Sequence, residues 1–134
     1  MKQQHKILLI GLLAVGLLDT LGSLASRQLD FNYSLLTPVS FIIYGTTAFI
    51  AARQKDLKTG VFLAAILGLF DSTIGWKVSM LLDANTGDID NQVTTGLWIM
   101  TAILMTGLSA LIGLLGSGLS RIIKKKSTNA QQWL

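Results

Sequence analysis

Two short stretches place polar and small residues where apolar residues dominate. Gly16-Leu17-Leu18-Asp19-Thr20-Leu21-Gly22 lies in one apolar run, and Gly68-Leu69-Phe70-Asp71-Ser72-Thr73-Ile74-Gly75-Trp76-Lys77 lies in another. Each supplies a carboxyl group beside hydroxyls and glycines. An acid at mid-bilayer costs about 2.5–3.5 kcal/mol on the insertion scale, so an intramembrane Asp points to a use for its charge or its hydrogen bonds. Two carboxylates brought together repel, and one is then expected to hold a proton at neutral pH. Such a pair binds and releases a proton or a cation, which is the chemistry of a carrier. The same groups can instead tie helices together, because a protonated carboxyl both donates and accepts across a helix interface. Asp19, Thr20, Asp71, Ser72, Thr73 and Lys77 therefore form the candidate polar core. Lys77 lies six residues beyond Asp71 and largely off its face. It is expected to pair with an acid on another helix or to run its stem to the outer boundary.

Other chemistries lack their residues. Cysteine and glutamate are absent, and the one histidine, His5, sits near the N terminus. Neither a disulfide framework nor a thiolate metal site can form. The stretch Asp83-Ala84-Asn85-Thr86-Gly87-Asp88 resembles a calcium loop, which makes Asp83, Asn85 and Asp88 weak metal candidates. Its glycine stands at position five instead of six, and position twelve carries no bidentate acid. An ordinary helix exit and turn fits it better. Asn32-Tyr33-Ser34 fits a glycosylation acceptor pattern. No nucleophile–base pair, zinc motif or phosphate-binding loop is present. The chain is not expected to be an enzyme, and no cofactor is implied.

The elements that must position these groups follow from composition. Of the 134 residues, 51% are hydrophobic and 13% charged, with a mean hydropathy of +0.57; soluble domains carry about 25% charged residues. The apolar residues come in blocks over 7–26, 35–52, 59–82 and 95–123. Each is long enough to cross a bilayer as a helix, which takes about 20 residues. The expected fold is a single all-α membrane domain, 1–134, with four transmembrane helices and a polar tail over 124–134. Pro38 suits the first turn of the second helix. The first block also has the features of a signal peptide, with Ser23-Leu24-Ala25 as the cleavage site. Its place in an internal repeat favours a retained helix.

Nine of the eleven basic residues fall on one side of a four-span chain: Lys2, Lys6, Arg53, Lys55, Lys58, Arg121 and Lys124–Lys126. Arg27 and four of the seven acids, Asp30, Asp83, Asp88 and Asp90, fall on the other. The positive-inside rule then predicts both termini in the cytoplasm, with the chain in the cell membrane. The net charge of +4 does not mark a nucleic-acid binder, because the charges sit at segment ends and build no basic face interleaved with aromatics. Anionic headgroups of the lipid bilayer are the expected partner.

The two polar stretches are halves of a repeat. Setting Asp19-Thr20-Leu21-Gly22 against Asp71-Ser72-Thr73-Ile74-Gly75 leaves one residue over, Ser72. Beyond it Gly22 matches Gly75, Ser26 matches Ser79, Leu29 matches Leu82, Asp30 matches Asp83 and Asn32 matches Asn85. Upstream, Gly16 matches Gly68. This reads as a duplicated helical hairpin, about 7–52 and 60–123. An even number of spans separates the copies, which predicts a parallel pseudo-twofold axis along the membrane normal. Gly16, Asp19 and Ser23 share one helix face, and Ala64, Gly68, Asp71, Gly75 and Ser79 share another. Gly16, Gly22, Gly68, Gly75 and Ser79 are thus the expected close-packing positions, with Asp19 and Asp71 pointing into the bundle. Asp71 falls near mid-span, and Asp19 is expected nearer the outer end. Gly107, Gly113, Gly116 and Gly118 are expected to make further close contacts. Trp76 and Trp98 read as belt or core residues, and Tyr44 as a packing residue or a hydrogen-bond donor toward the bundle centre.

In length and span number the chain invites comparison with small multidrug-resistance transporters. Those carry a membrane-embedded Glu in the first helix, and this chain has none. Fluoride channels of similar length carry an Arg-Tyr motif that is also missing, so neither family is assigned. The expected function is a small proton- or cation-linked transporter or channel acting on a small ion or solute. A homodimer is expected, because four helices barely enclose a pathway. The alternative is a non-catalytic interaction or scaffold subunit in which the same acids hold helices together.

Overall fold

The structure, a computed structural model, describes residues 2–87 and 94–131. Among these residues there are helices and no strand. Helix α1 spans Gln3–Leu29; a 3-10 turn, Tyr33–Leu36, leads into α2, Thr37–Gln54. Helix α3, Leu57–Phe70, passes through a π-helical turn, Asp71–Gly75, into α4, Trp76–Leu81; α5 spans Thr95–Gln131. α3, the π turn and α4 make one rod. The result is four rods long and apolar enough to cross a membrane: Gln3–Leu29, Tyr33–Gln54, Leu57–Leu81 and Thr95–Lys125. Helix α1 begins earlier than the apolar block, and α5 continues into the stretch read as a polar tail. Neither the N-terminal Gln and Lys residues nor the C-terminal lysines stop a helix, and no Gly or Pro intervenes.

The ends of the rods are set by local chemistry. Asp56 caps α3, its carboxylate accepting from the Thr59 N–H at 2.7 Å. Pro38 lies in the first turn of α2. Asn32 opens the 3-10 turn by accepting from Ser34 N–H at 2.9 Å. α1 and α4 end alike. Asp30 and Asp83 both turn left-handed, at φ 53° and 52°. The next N–H then reaches back five residues in each case, Phe31 to the Ser26 carbonyl at 3.3 Å and Ala84 to the Ser79 carbonyl at 3.0 Å. Asp tolerates this conformation better than most residues, and it satisfies carbonyls that a helix end leaves open.

Small residues fill the interior and large aliphatic ones cover the outside. The core holds Val15, Tyr44, Ala48, Ala64 and Leu67, with a second group of Ile7, Ala51 and Leu63. Ser23, Ser26, Ser79, Ser109 and Ser117 are fully buried, whereas Leu13, Leu17, Ile103, Leu111, Leu115 and Ile122 are exposed. Helix α5 lies against α2 and α3, and α1 against α2 and the α3–α4 rod. The α5 contacts depend on missing side chains. A Cβ on Gly113 would stand 2.6 Å from Ala64 Cβ, and one on Gly116 would strike the Gly45 carbonyl. Gly60 and Gly68 likewise leave room for Ser117 and Ser109. Gly16, Gly107 and Gly118 differ from expectation: nothing stands within 4 Å of where their Cβ would be. The equal spacing of glycines along the chain does not distinguish a face turned to a neighbour from one turned outward.

Candidate functional site

The site is built around the π turn. A π turn closes one residue wider than an α turn, so it absorbs one inserted residue without breaking the helix. Ser72, left over when the two polar stretches are aligned, falls inside it. The buried face continues through the turn. Before it the buried positions are Gly60, Leu63, Ala64, Leu67 and Gly68; within it they are Ser72 and Gly75, and after it Ser79. Trp98 of α5 donates its indole N–H to the Ser72 carbonyl at 3.2 Å, supplying a donor at the widened turn.

The hydroxyls expected to tie helices together fold back on their own helices instead. Thr20 Oγ1 donates to the Gly16 carbonyl at 2.8 Å, Ser72 Oγ to the Gly68 carbonyl at 2.7 Å and Ser79 Oγ to the Gly75 carbonyl at 3.1 Å. Thr73 Oγ1 does the same with the Leu69 carbonyl. A carbonyl one turn back is always within reach of these short side chains. Thr20 and Thr73 therefore belong to their own helix backbones and not to a shared polar core.

The acids do come together. Asp19 is 1% exposed. Its Oδ1 accepts from Tyr33 O–H at 2.7 Å, and its Oδ2 is buried with no hydrogen-bond partner among the described residues. Asp71 Oδ2 accepts a hydrogen bond from the buried Tyr44 hydroxyl of α2. The two carboxylates meet at Gly75. A Cβ there would run into Asp19 Oδ2 and stand 3.0 Å from Asp71 Oδ1. Only glycine leaves room for both. The acids thus lie at one depth, each ten residues before the end of its rod, or roughly 15 Å along the axis. Asp19 is not nearer the end of its helix as expected, because α1 runs three residues past the apolar block, to Leu29.

Beside the pair lies a cavity of about 720 Å³. It runs from Ser34 and Thr86, at the end away from the termini, down to Asp71, Ser72 and Met105. Tyr33, Ser40, Trp76 and Thr101 are among its walls. Asp71 faces this space, while Asp19 is shut behind it. Tyr33 is held over Asp19 by contacts at the end away from the termini. Its N–H donates to the Asn85 carbonyl at 2.7 Å, and the Asn85 N–H donates to Ser26 Oγ at 3.1 Å.

The remaining candidates have other places. Lys77 is exposed, and its Nζ stands 5.1 Å from the Trp98 ring centroid, a cation–π arrangement that involves neither acid. Trp98 is therefore a clamp on the π turn, a role that its place at a helix start did not signal. Asp83 pairs with Arg27 at 3.5 Å, and Asn85 donates from Nδ2 to Asp30 Oδ1 at 2.9 Å. These groups fasten the ends of α1 and α4 to each other. Asp88 lies outside the described residues, and among the described residues no three His, Cys, Asp or Glu side chains gather to hold a metal ion. Sequence reasoning missed Tyr33, Ser40 and the clamp. The nearest signal was Tyr33 inside the polar connection that follows the first acidic repeat.

No protein-family model matches the chain, and neither a curated protein nor a solved structure matches it.

Proposed function

We propose that the chain is a multi-pass protein of the cell membrane, with both termini cytoplasmic, that carries a proton or small cation through Asp19 and Asp71. Aliphatic side chains outside with glycines and hydroxyls inside suit a lipid surrounding, where helices associate by close packing instead of by the hydrophobic effect. The observation that carries the reading is the carboxylate pair at Gly75, one member facing a cavity that extends toward the end away from the termini and the other sealed behind it. A cation entering the cavity meets Asp71 first and relieves its repulsion with Asp19. Toward the termini the path is closed by Val15, Tyr44, Ala48, Ala64 and Leu67. Release on that side then requires α1 to shift against the α3–α4 rod. Such a movement is alternating access about the acids.

Two features support a duplicated hairpin beneath this design. The left-handed exits at Asp30 and Asp83 share one hydrogen-bond pattern, and the π turn takes up Ser72. Helix α2 packs along α3, whereas α1 and α5, the pair that the expected twofold would relate to them, make no comparable contact. A homodimer that covers these outer rods is part of the proposal. A second reading, an interaction or scaffold subunit, is favoured by the Tyr33–Asp19 and Tyr44–Asp71 bonds, each of which ties two elements together.

Proton flux into liposomes holding the purified protein, read with an entrapped pH-sensitive dye, tests the choice. Carriage requires flux above empty liposomes that is lost in Asp71→Asn and in Asp19→Asn while both variants stay folded. Flux that is absent in the wild type, or unchanged in both variants, refutes it. Co-purification of a partner that survives Asp71→Asn then supports the scaffold.

A further inference from the structure

The cavity has chemistry of its own, and its walls say what kind of solute it suits. Asp71 is the one charged side chain among the described residues that line it. A lone carboxylate at the floor selects against anions and favours a cation. The volume of about 720 Å³ lies within the roughly 300–1,000 Å³ that small-molecule sites occupy. A bare metal ion takes a tight cage of several oxygen ligands, and no such cluster of acids exists among the described residues. The upper walls are apolar and aromatic, with Trp76, Tyr33, Leu36 and Leu97. An aromatic face attracts both an apolar body and a cation.

The floor is shaped for an ammonium head. Tyr44 occupies Asp71 Oδ2, and the hydroxyls of Ser40 and Ser72 join the carboxylate at the cavity wall. An –NH₃⁺ group carries three donors and no acceptor, and carboxylate and hydroxyl oxygens supply matching acceptors. At the end of the cavity farthest from Asp71, Thr86 Oγ1 is buried with no hydrogen-bond partner among the described residues. A buried hydroxyl left unpaired is unfavourable, so a ligand with a polar far end would gain by meeting it.

We propose that this cavity binds an amphipathic organic amine, its ammonium on Asp71, its apolar body against Trp76 and Tyr33, and its far end near Thr86. This names the solute class for the site described above, and rests on that reading for the membrane placement alone. A neutral solute of the same shape leaves Asp71 without a counter-charge, and an acid of the same shape meets it with repulsion.

Calorimetric titration of the full-length protein in an uncharged mild detergent, corrected with empty micelles, tests this with three probes. Tyramine carries the ammonium, 4-(2-hydroxyethyl)phenol is its neutral analogue, and 4-hydroxyphenylacetate is its anionic analogue. Saturable tyramine binding is expected, with the other two at least tenfold weaker. Asp71→Asn should weaken tyramine tenfold or more. Thr101→Trp fills the cavity from the α5 wall while Asp71 and Tyr44 stay unsubstituted, and it should abolish binding. If Asp71→Asn does not fold, Thr101→Trp and the probe comparison decide the matter. The proposal is overturned if tyramine shows no saturable binding, if the neutral analogue binds as tightly, or if Thr101→Trp binds like the wild type. Tyramine binding without proton flux removes carriage and leaves the amine site standing. Proton flux without tyramine binding does the reverse.

Discussion

Gly16 and Gly68 occupy matching positions in the two polar stretches, yet replacing each with alanine should have different effects. Alanine in place of a helix-interior glycine gains about 0.5–1 kcal/mol from backbone entropy, and this gain is common to both sites. At Gly16 nothing lies within 4 Å of the new Cβ, so the gain is realised in full. At Gly68 the Cβ would overlap the Ser109 side chain and stand 2.9 Å from the Met105 carbonyl oxygen. Met105 contributes backbone and Ser109 contributes its own Cβ as well as Oγ, so no flexible tip can simply swing away. Overpacking of this kind costs about 1–3 kcal/mol. The common gain cancels in the difference, and Gly68→Ala should be about 1–3 kcal/mol less stable than Gly16→Ala. The assay is unfolding from mild-detergent micelles by a rising fraction of dodecyl sulfate, followed by far-ultraviolet circular dichroism. Gly68→Ala combined with Ser109→Gly should recover part of the loss, because only the Met105 contact remains. If the two single variants fall within about 0.5 kcal/mol of each other, the spread expected of changes that touch nothing, α3 and α5 do not pack as described.

Three further outcomes follow from the same contacts. Tyr44→Phe removes the donor to Asp71 Oδ2 and should cost about 1.5–3 kcal/mol if the carboxylate is ionised; an unchanged dodecyl sulfate midpoint would separate the two residues. Trp98→Phe deletes the indole bond to the Ser72 carbonyl but keeps a ring for Lys77. It should cost about 0.5–1.5 kcal/mol and raise amide exchange over Asp71–Gly75; unchanged exchange there would show that the π turn needs no clamp. The Thr59 backbone N–H, with Lys55 and Lys58 nearby, holds the Asp56 carboxyl below its ordinary range. A depressed value in the fold means that this cap stabilises above the unfolded-state pKa of about 3.9 and is lost as pH falls through the folded value. Asp56→Asn keeps a capping oxygen without the titration. Its acid unfolding limb should therefore be flatter than that of the wild type, and an identical limb would exclude Asp56 as a contributor.

Much of this arrangement is written locally in the chain. The lengths of the apolar blocks predict four rods, and the rods are there with ragged ends at Gln3 and Gln131. The surplus Ser72 is visible by aligning Asp19 with Asp71, and an extra residue inside a helix has few outlets other than a π turn. The burial of Asp19 follows from the small residues that share its face. These inferences hold because periodicity, capping and insertion are properties of one helix at a time.

Which neighbour meets which residue is a different kind of fact. Gly16 faces open space while its counterpart Gly68 faces Ser109. Lys77 lies over Trp98 and not beside an acid. Tyr33 and Tyr44, fourteen and twenty-seven residues from their carboxylates in sequence, become the partners of Asp19 and Asp71. Each outcome depends on how far one rod is rotated and offset against the next. Those parameters are set by the sum of many contacts along α2, α3 and α5, and no single stretch of sequence contains them. The amino-acid order by itself determined that two acids would be carried inside apolar rods. The tertiary packing decided that they would share Gly75 and that only Asp71 would look into a cavity.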